Sequence, residues 1–181
     1  MGDPVKAWHE EHMYFNRLLR LLQHEVEVFA TAEVPNYALM LDIISYLRDY
    51  ADQYHHPRED EVFRRLALHR PDQRAPVARL QQEHRVIANA GTTLMRLLEE
   101  VQSDAVVSRA QIEVAAATYL VYYGNHIANE EEHILQLAGQ TLSAEDWQAA
   151  KDAAPAGNDP LLGAHPEERF RELRRRIAVE A

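Results

Sequence analysis

The chain has 181 residues and no cysteine, and its 29 acidic and 19 basic residues give a formal net charge of −10. The lack of cysteine excludes disulfides and thiolate metal sites, and the acidic balance argues against general binding to nucleic acids or anionic membranes. No apolar run approaches the ~20 residues of a membrane span, and the charged amphipathic start does not resemble a signal peptide, so we expect a cytoplasmic protein with one main domain.

Apolar residues at alternating steps of three and four predict two long helices in the first half of the chain. Asp3 and Pro4 form a helix start, with an acidic N-cap before a proline at the first helical position, and this helix is predicted to end before Pro35. The second helix is predicted over residues 36–68, with Pro57 in its interior. Because an interior proline removes a hydrogen bond at a cost of ~3 kcal/mol, we expect a kink or a break there.

The second half of the chain repeats this pattern. A third helix is predicted over residues 75–101 and a fourth over residues 108–140, and no strand pattern is present in the sequence. Four long helices with short loops predict an all-α fold, an antiparallel up-down-up-down four-helix bundle over residues 1–141. Residues 142–181 are predicted to form a C-terminal helical extension that packs on the bundle or trails it. Its last helix carries three apolar side chains that could dock on another surface, Phe170, Leu173 and Ile177.

Six polar side chains that can bind metals occupy inward-facing positions of the four predicted helices. They are His12, His55, Glu59, His84, His126 and Glu130. In an up-down-up-down bundle, early positions on odd helices and late positions on even helices meet at one level, so the six should form a single cluster. Burying them without a metal would cost on the order of several kcal/mol per unpaired group. Imidazoles suit iron, zinc, copper or nickel, and carboxylates from facing helices can bridge two metals.

The six residues also form an internal repeat. The two halves of the chain match at a spacing of 71 or 72 residues, which pairs His12 with His84, His55 with His126, and Glu59 with Glu130. The chain therefore consists of two predicted helical hairpins, each with one histidine followed by a His-x-x-x-Glu pair. Residues at i and i+4 share one helical face, and bundle cores with such pairs hold di-iron and di-manganese sites. The repeat predicts a dinuclear metal site.

Four segments of the chain resemble the hemerythrin-like family, also called HHE cation-binding domains: Glu11-His12, residues 55–63, Glu83-His84 and residues 126–131. The family is a four-helix bundle with a non-haem di-iron centre, and its members carry or sense oxygen, sense iron, handle nitric oxide or peroxide, or help to repair iron–sulfur centres. The resemblance covers about residues 5–140 and implies two iron ions, which zinc or manganese could replace. It implies terminal ligands at His12, His55, His84 and His126, with Glu59 and Glu130 as bridges.

The sequence departs from the family's pattern at two positions. Oxygen carriers of the family have a second helix-three histidine where this chain has Ala88, and an aspartate five residues after the helix-four histidine, where this chain has Glu131, with Glu130 at four. One iron is therefore expected to lack a ligand, unless His133, His9, Glu131 or a tyrosine supplies it. A more open site is favoured over reversible oxygen carriage.

Other polar residues near the pattern are predicted to have lesser roles. His56 and Asp60 repeat the His-x-x-x-acid spacing one residue out of phase, and we expect them beside the ligands or at the surface. Tyr119 and Tyr123 are expected to pack in the core, although their phenols could donate to a bound oxygen species. Surface positions are expected for His9, His24, His69, His165, Glu131 and Glu132.

Three functions fit these residues. The preferred one is a protein that binds dioxygen, or a related small ligand such as nitric oxide or peroxide, at the dinuclear centre. The alternatives are a di-iron enzyme that removes peroxide, nitric oxide or dioxygen, and an iron- or oxygen-responsive regulator or iron donor whose closing helix is the output element. The sequence leaves open whether the chain is an enzyme, whether it forms oligomers and which protein partners it has.

Overall fold

The computed structural model describes residues 3–31, 33–154 and 157–179, and no strand is present among them. Helix α1 spans Pro4–Val28 and begins as the sequence predicts. The Asp3 carboxylate caps it by accepting hydrogen bonds from the backbone N–H groups of Val5 and Lys6, at 3.0 and 3.4 Å. No helix among these residues is long and apolar enough to cross a membrane.

The predicted second helix is a continuous helical run over residues 37–69. Helix α2 (Tyr37–Tyr46) leads into a π-helical segment, Leu47–His55, which leads into α3 (His56–His69). Pro57 lies in the first turn of α3, where a missing N–H costs least. The interruption expected at this proline is therefore a change of helix type just before it. Such π-helical turns often lie at functional sites.

The second half of the chain also contains a π-helical interruption. Helix α4 spans Arg74–Gln102 after a 3₁₀ turn at Pro71–Gln73, and α5 spans Arg109–Asn129. A second π-helical segment, Glu130–Ile134, follows α5 directly and continues into α6 (Leu135–Thr141). The predicted fourth helix therefore consists of three consecutive segments.

The C-terminal part begins with α7 (Ala144–Ala153), which Ser143 and Asp146 cap reciprocally. A 3₁₀ turn at Glu168–Phe170 precedes the last helix, α8 (Arg171–Val179).

Both parts of the C-terminal segment pack against the preceding helices. Phe170 is fully buried, and its ring lies edge-on to Tyr46 of α2, with centroids 5.7 Å apart. On α7, Trp147 meets Trp8 of α1 edge-on at 5.6 Å. The three apolar side chains singled out on the closing helix are all buried, Phe170, Leu173 and Ile177.

The interior has two apolar clusters with a polar layer between them. Helix α1 packs against α2 and α5, and α4 packs against the same two helices. Along α1, His12 separates Trp8 of the smaller cluster from Phe15 of the larger one. Along α4, His84 lies in the same way between Leu80 and Ile87, each in a different cluster. Polar residues thus form a layer inside an otherwise apolar interior.

Candidate metal centre

The polar layer brings together the six side chains that the sequence singles out. They come from four helical runs, which are α1, residues 37–69, α4 and residues 109–141. The exposed fraction of each residue is between 0 and 6 %. The six are His12, His55, Glu59, His84, His126 and Glu130.

The four imidazoles form two pairs on opposite sides of the carboxylates. The first imidazole pair is His12 and His55, whose Nε2 atoms lie 3.1 Å apart. The second imidazole pair is His84 and His126, whose ring centroids lie 4.5 Å apart with an interplanar angle of 71°. Each pair joins two helical runs, so the cluster depends on the packing of the runs and not on one helix alone.

The Glu59 carboxylate faces both imidazole pairs. Its Oε1 lies 2.9 Å from His55 Nε2 and 3.1 Å from His12 Nε2. Its Oε2 lies 3.4 Å from His84 Nε2, on the other side. One Glu59 oxygen therefore contacts each imidazole pair, which is the arrangement that a bridging carboxylate needs.

The Glu130 carboxylate also faces both pairs, but its Oε1 faces the second pair and its Oε2 faces the first. Its Oε1 lies 3.0 Å from His126 Nε2 and 3.6 Å from His84 Nε2. Its Oε2 lies 3.5 Å from His12 Nε2. The two glutamates, which the sequence repeat pairs, thus stand in equivalent positions between the imidazoles.

Several buried polar atoms of this cluster have no hydrogen-bond partner among the described residues. Buried donors and acceptors are almost always satisfied in proteins, so such a concentration needs an explanation. The His126–Glu130 contact is short but is not aligned as a hydrogen bond. Imidazole nitrogens and carboxylate oxygens together suit iron or a related transition metal, and a bound ion would satisfy the orphaned atoms. These are Glu59 Oε2, His84 Nε2, His126 Nε2 and both Glu130 oxygens.

Each of the four imidazoles donates its Nδ1–H to a carboxylate on another helical segment. Such contacts fix the tautomer and the ring orientation of metal-binding histidines and increase their basicity. They leave every Nε2 directed at the centre of the cluster. The acceptors are Glu131 for His12 (2.7 Å), Asp60 for His84 (2.9 Å), Glu83 for His126 (3.2 Å) and Glu11 for His55.

The orienting carboxylates follow the internal repeat. In the first hairpin, Glu11 precedes His12 and accepts a hydrogen bond from His55. In the second, Glu83 precedes His84 and accepts one from His126. The acids that follow the two glutamates accept across the hairpins: Glu131 accepts from His12, and Asp60 accepts from His84. The sequence analysis assigned no role to Glu11 or Glu83, although an acid adjoins a candidate ligand in each case. The solvated face predicted for Glu131 is wrong, because its side chain is 29 % exposed and bonded to His12.

Carboxylates and imidazoles in the cluster stabilise each other's charged forms. Burial alone would lower the pKa of His12, but the hydrogen bonds to Glu131 and Glu59 outweigh it and raise this pKa to about 10. Burial likewise opposes the charge on His84, yet Asp60 and the two buried glutamates raise its pKa to about 11. Burial would raise the pKa of Glu59, but the imidazoles of His55 and His12 hold it well below its usual value. Without a metal, the centre therefore keeps carboxylates anionic and some imidazoles cationic.

His56 joins this cluster, beyond the six residues that the sequence singles out. Of the two positions that the sequence analysis expected, beside the ligands or at the surface, the structure shows the first, because His56 is 4 % exposed and its ring lies 4.2 Å from that of His84. One of its ring nitrogens forms a group with one ligand atom from each of three other residues, and these four atoms all lie within 4.8 Å of one another. A cavity of about 180 Å³ beside it is also lined by His84 and Ala88. The three others in its group are Glu59, His84 and His126.

The remaining candidates lie away from the centre of the cluster. His133 is exposed, and its Nδ1 lies 3.3 Å from the backbone oxygen of Asn129. His9 is exposed and contacts Glu131 at 2.8 Å. Tyr119 and Tyr123 are buried, as predicted, and neither hydroxyl has a hydrogen-bond partner among the described residues.

Comparison with known families gives one result that bears on this cluster. The model of a family described as the hemerythrin HHE cation-binding domain matches residues 3–138. A comparison with curated proteins finds no match. The matched range contains every residue of the cluster and its orienting carboxylates.

Proposed function

Because the chain belongs to the hemerythrin HHE cation-binding domain family, we propose that it is a non-haem di-iron protein. Its ligand is dioxygen or a related small molecule, nitric oxide or peroxide. One observation carries the proposal. Glu59 and Glu130 each direct their two oxygens at different imidazole pairs. A single ion would need only one such pair, whereas two ions require carboxylates placed between two pairs.

The first imidazole pair holds one ion in this proposal and the second imidazole pair holds the other. Two nitrogens bound at right angles to one ion, with bonds of about 2.0–2.1 Å, lie about 2.9 Å apart. The Nε2 atoms of His12 and His55 lie 3.1 Å apart, which supports their binding to one ion. Glu59 and Glu130 would each contribute to holding both ions.

The proposed fold is an antiparallel up-down-up-down bundle over residues 1–141, with residues 142–181 as an extension packed on it. The contacts of α1 and α4 with both α2 and α5 support this topology. The polar layer supports it further, because His12 on α1 and His84 on α4 each contact both Glu59 and Glu130 on the other two runs. The buried aromatic contacts of Phe170 and Trp147 support the packed extension.

Bound iron would supply the affinity for dioxygen, nitric oxide or peroxide, and the protein determines how the ions are held. The apolar clusters on both sides of the polar layer exclude bulk water. The orienting carboxylates keep each Nε2 directed inward. Tyr123 lies beside the cluster, with its ring centroid 5.6 Å from that of His56. Its hydroxyl has no hydrogen-bond partner among the described residues and can donate to a small bound molecule.

A second candidate function is a di-iron enzyme that removes peroxide, nitric oxide or dioxygen. The cavity lined by His56, His84 and Ala88 favours it, because it provides room for a small molecule next to the second imidazole pair. Steady-state consumption of peroxide or nitric oxide separates this candidate from simple binding. The wild type should consume them faster than Glu59→Ala under this candidate, and at an equal rate if the protein only binds its ligand.

The proposed function is tested by ligand addition to iron-loaded protein. Protein loaded with Fe(II) without oxygen is exposed separately to dioxygen, nitric oxide and peroxide while its absorption spectrum is recorded. We expect at least one ligand to produce a new absorption band in the wild type and in Glu132→Ala, an exposed neighbour of the cluster. Glu59→Ala should lose the band. Iron-loaded wild type that responds to none of the three would contradict the proposal.

A further inference from the structure

The outward side of α5 carries no charged side chain over most of its length. Residues 114–129 contain no Asp, Glu, Lys or Arg, although these residues make up 27 % of the chain, a frequency at which sixteen residues would include about four. Val114, Val121 and Tyr122 are 66, 60 and 45 % exposed. Charged and polar side chains normally occupy the solvent side of a surface helix. The outward side of α5 therefore has the composition of a covered surface.

The neighbouring helix α4 extends this surface. Residues 86–95 of α4 also contain no Asp, Glu, Lys or Arg, and α4 packs along α5. We call the exposed side of residues 86–95 and 114–129 the uncharged face.

A groove of about 570 Å³ runs between α4 and α5 on this face. Of the described residues that line it, only Arg96 is charged, and Arg96 is paired with Glu100. The groove is therefore suited to an apolar or aromatic side chain and not to a charged one. Its walls include Ala90, Thr93 and Leu97 of α4 and Val114, Ala115 and Thr118 of α5.

The exposed side chains of α5 are arranged nearly symmetrically about the bond between residues 117 and 118. Val114 and Val121 lie equally far from it on either side, and so do two exposed, uncharged residues further out, Ala110 and Asn125. When a helix packs antiparallel on an identical copy about a twofold axis, residues equally far from the axis face each other. Val114 of each copy would then face Val121 of the other.

Tyr122 and the groove lie on the same side of α5. Ala115, Thr118 and Tyr122 follow one another at steps of three and four residues, which places them along one side of the helix, and Ala115 and Thr118 line the groove. A twofold axis at residues 117 and 118 brings Tyr122 of one copy to the level of residue 113 of the other, where the groove lies. Each copy would thus place an aromatic ring over the groove of its partner.

The size and the charge of the uncharged face fit a second copy of the chain. Sixteen helical residues are about 24 Å long and two helices packed 8–10 Å apart are about 20 Å wide, so the face covers about 500 Å² in projection. Its accessible surface exceeds this projection because side chains form ridges, and a stable interface removes about 800 Å² from each partner. Chains with a net charge of −10 repel one another, so they can pair most easily through a surface without charges.

We propose that the chain forms a twofold-symmetric dimer through the uncharged face. In this dimer α5 packs antiparallel on α5 of the partner, Val114 of each chain faces Val121 of the other, and Tyr122 of each chain enters the groove of the other. The dimer does not depend on the proposed metal centre, which lies on the opposite, inward side of α5.

The test is sedimentation velocity of the full chain at concentrations up to about 100 μM, well above the Kd of a stable interface. We expect the wild type to sediment as a dimer. Val114→Glu places a carboxylate against an apolar side chain at two symmetric points, and Tyr122→Ala removes the aromatic anchor, so each should weaken dimerisation by at least about 10-fold. Met13→Glu is the matched control, because Met13 is an apolar residue of α1 that is 46 % exposed. Far-UV circular dichroism checks the fold of each variant.

A charge-pair variant tests the antiparallel arrangement. Val114→Glu combined with Val121→Arg places opposite charges at facing positions of the two chains, and we expect it to restore the dimer that Val114→Glu weakens. If the double variant dimerises no better than Val114→Glu alone, the antiparallel pairing is wrong. A wild type that stays monomeric would overturn the proposal and leave the uncharged face to a different apolar partner. A dimer that neither Val114→Glu nor Tyr122→Ala weakens would overturn it as well, because the chains would then pair through another surface.

Discussion

The Nε2 atoms of His12 and His55 lie 3.1 Å apart, although the two residues come from different helical runs. Glu131 and Glu11 accept the Nδ1–H of His12 and His55 respectively. If both imidazoles were neutral with Nδ1–H donated, two Nε2 lone pairs would face each other and repel. The raised pKa of His12 means that a proton lies between them in the metal-free protein, and a metal ion can take its place. The geometry is therefore that of two ligands directed at one cation.

The orienting contact between Glu131 and His12 gives the first prediction. Glu131→Ala removes the carboxylate that holds the His12 ring, and loss of such a partner costs about 10–100-fold in metal affinity. We expect this loss in a chelator-competition titration with Fe(II) or Co(II). Glu132→Ala is the matched control, because Glu132 is the adjacent glutamate and is exposed. Equal affinities of the two variants would show that Glu131 does not orient a ligand.

The charges of the metal-free cluster give a second prediction. The pKa of His12 is raised to about 10 and that of His84 to about 11, so at pH 7 these imidazoles carry protons that a metal must displace. Metal binding should therefore release protons, and metal affinity should fall as the pH is lowered. The number of protons released follows from calorimetric titrations in buffers with different ionisation enthalpies.

One pair of results would contradict the prediction of proton release. A metal affinity that is constant between pH 6 and pH 8, with no buffer-dependent heat, would mean that the imidazoles are already neutral before the metal binds. The raised pKa values of His12 and His84 would then be wrong for the metal-free protein in solution.

The packing of the closing helix gives a third prediction. Phe170 is fully buried and contacts the ring of Tyr46 edge-on, and replacing a buried phenylalanine by alanine costs about 3–5 kcal/mol. Phe170→Ala should lower the free energy of unfolding of the metal-free protein by about this amount in urea titrations. Arg171→Ala is the control, because the Arg171 side chain is 78 % exposed and a surface ion pair such as the one it forms with Glu168 contributes little. If the two variants unfold alike, the extension does not stabilise the bundle.

The helices could be predicted from the sequence because their apolar faces keep a helical period. His12 and His84 each fall where this period expects an apolar residue, and that position is enough to place them in the interior. Phe170 was predicted to dock by the same reasoning, and the structure buries it. The two π-helical segments could not be predicted, because a π-helical turn contains more residues than the regular period assumes.

For a related reason, the sequence could not decide between the two positions expected for His56, beside the ligands or at the surface. A regular helix turns about 100° per residue, so a periodic pattern assigns His55 and His56 to different faces and only one of them to the interior. The structure buries both, and the His55 ring lies against His12 whereas the His56 ring lies against His84. The orienting role of Glu131 was missed because its partner His12 is 119 residues away, and periodicity along one helix carries no information about contacts with another.

The most direct test of the dinuclear centre is a titration of metal-free wild type with Fe(II) without oxygen. Glu59 and Glu130 each face both imidazole pairs, so we predict saturation at two iron ions per chain. Glu59→Ala and Glu130→Ala should each saturate below two, because each loses a shared ligand. Saturation of the wild type at one ion or fewer would contradict the dinuclear centre.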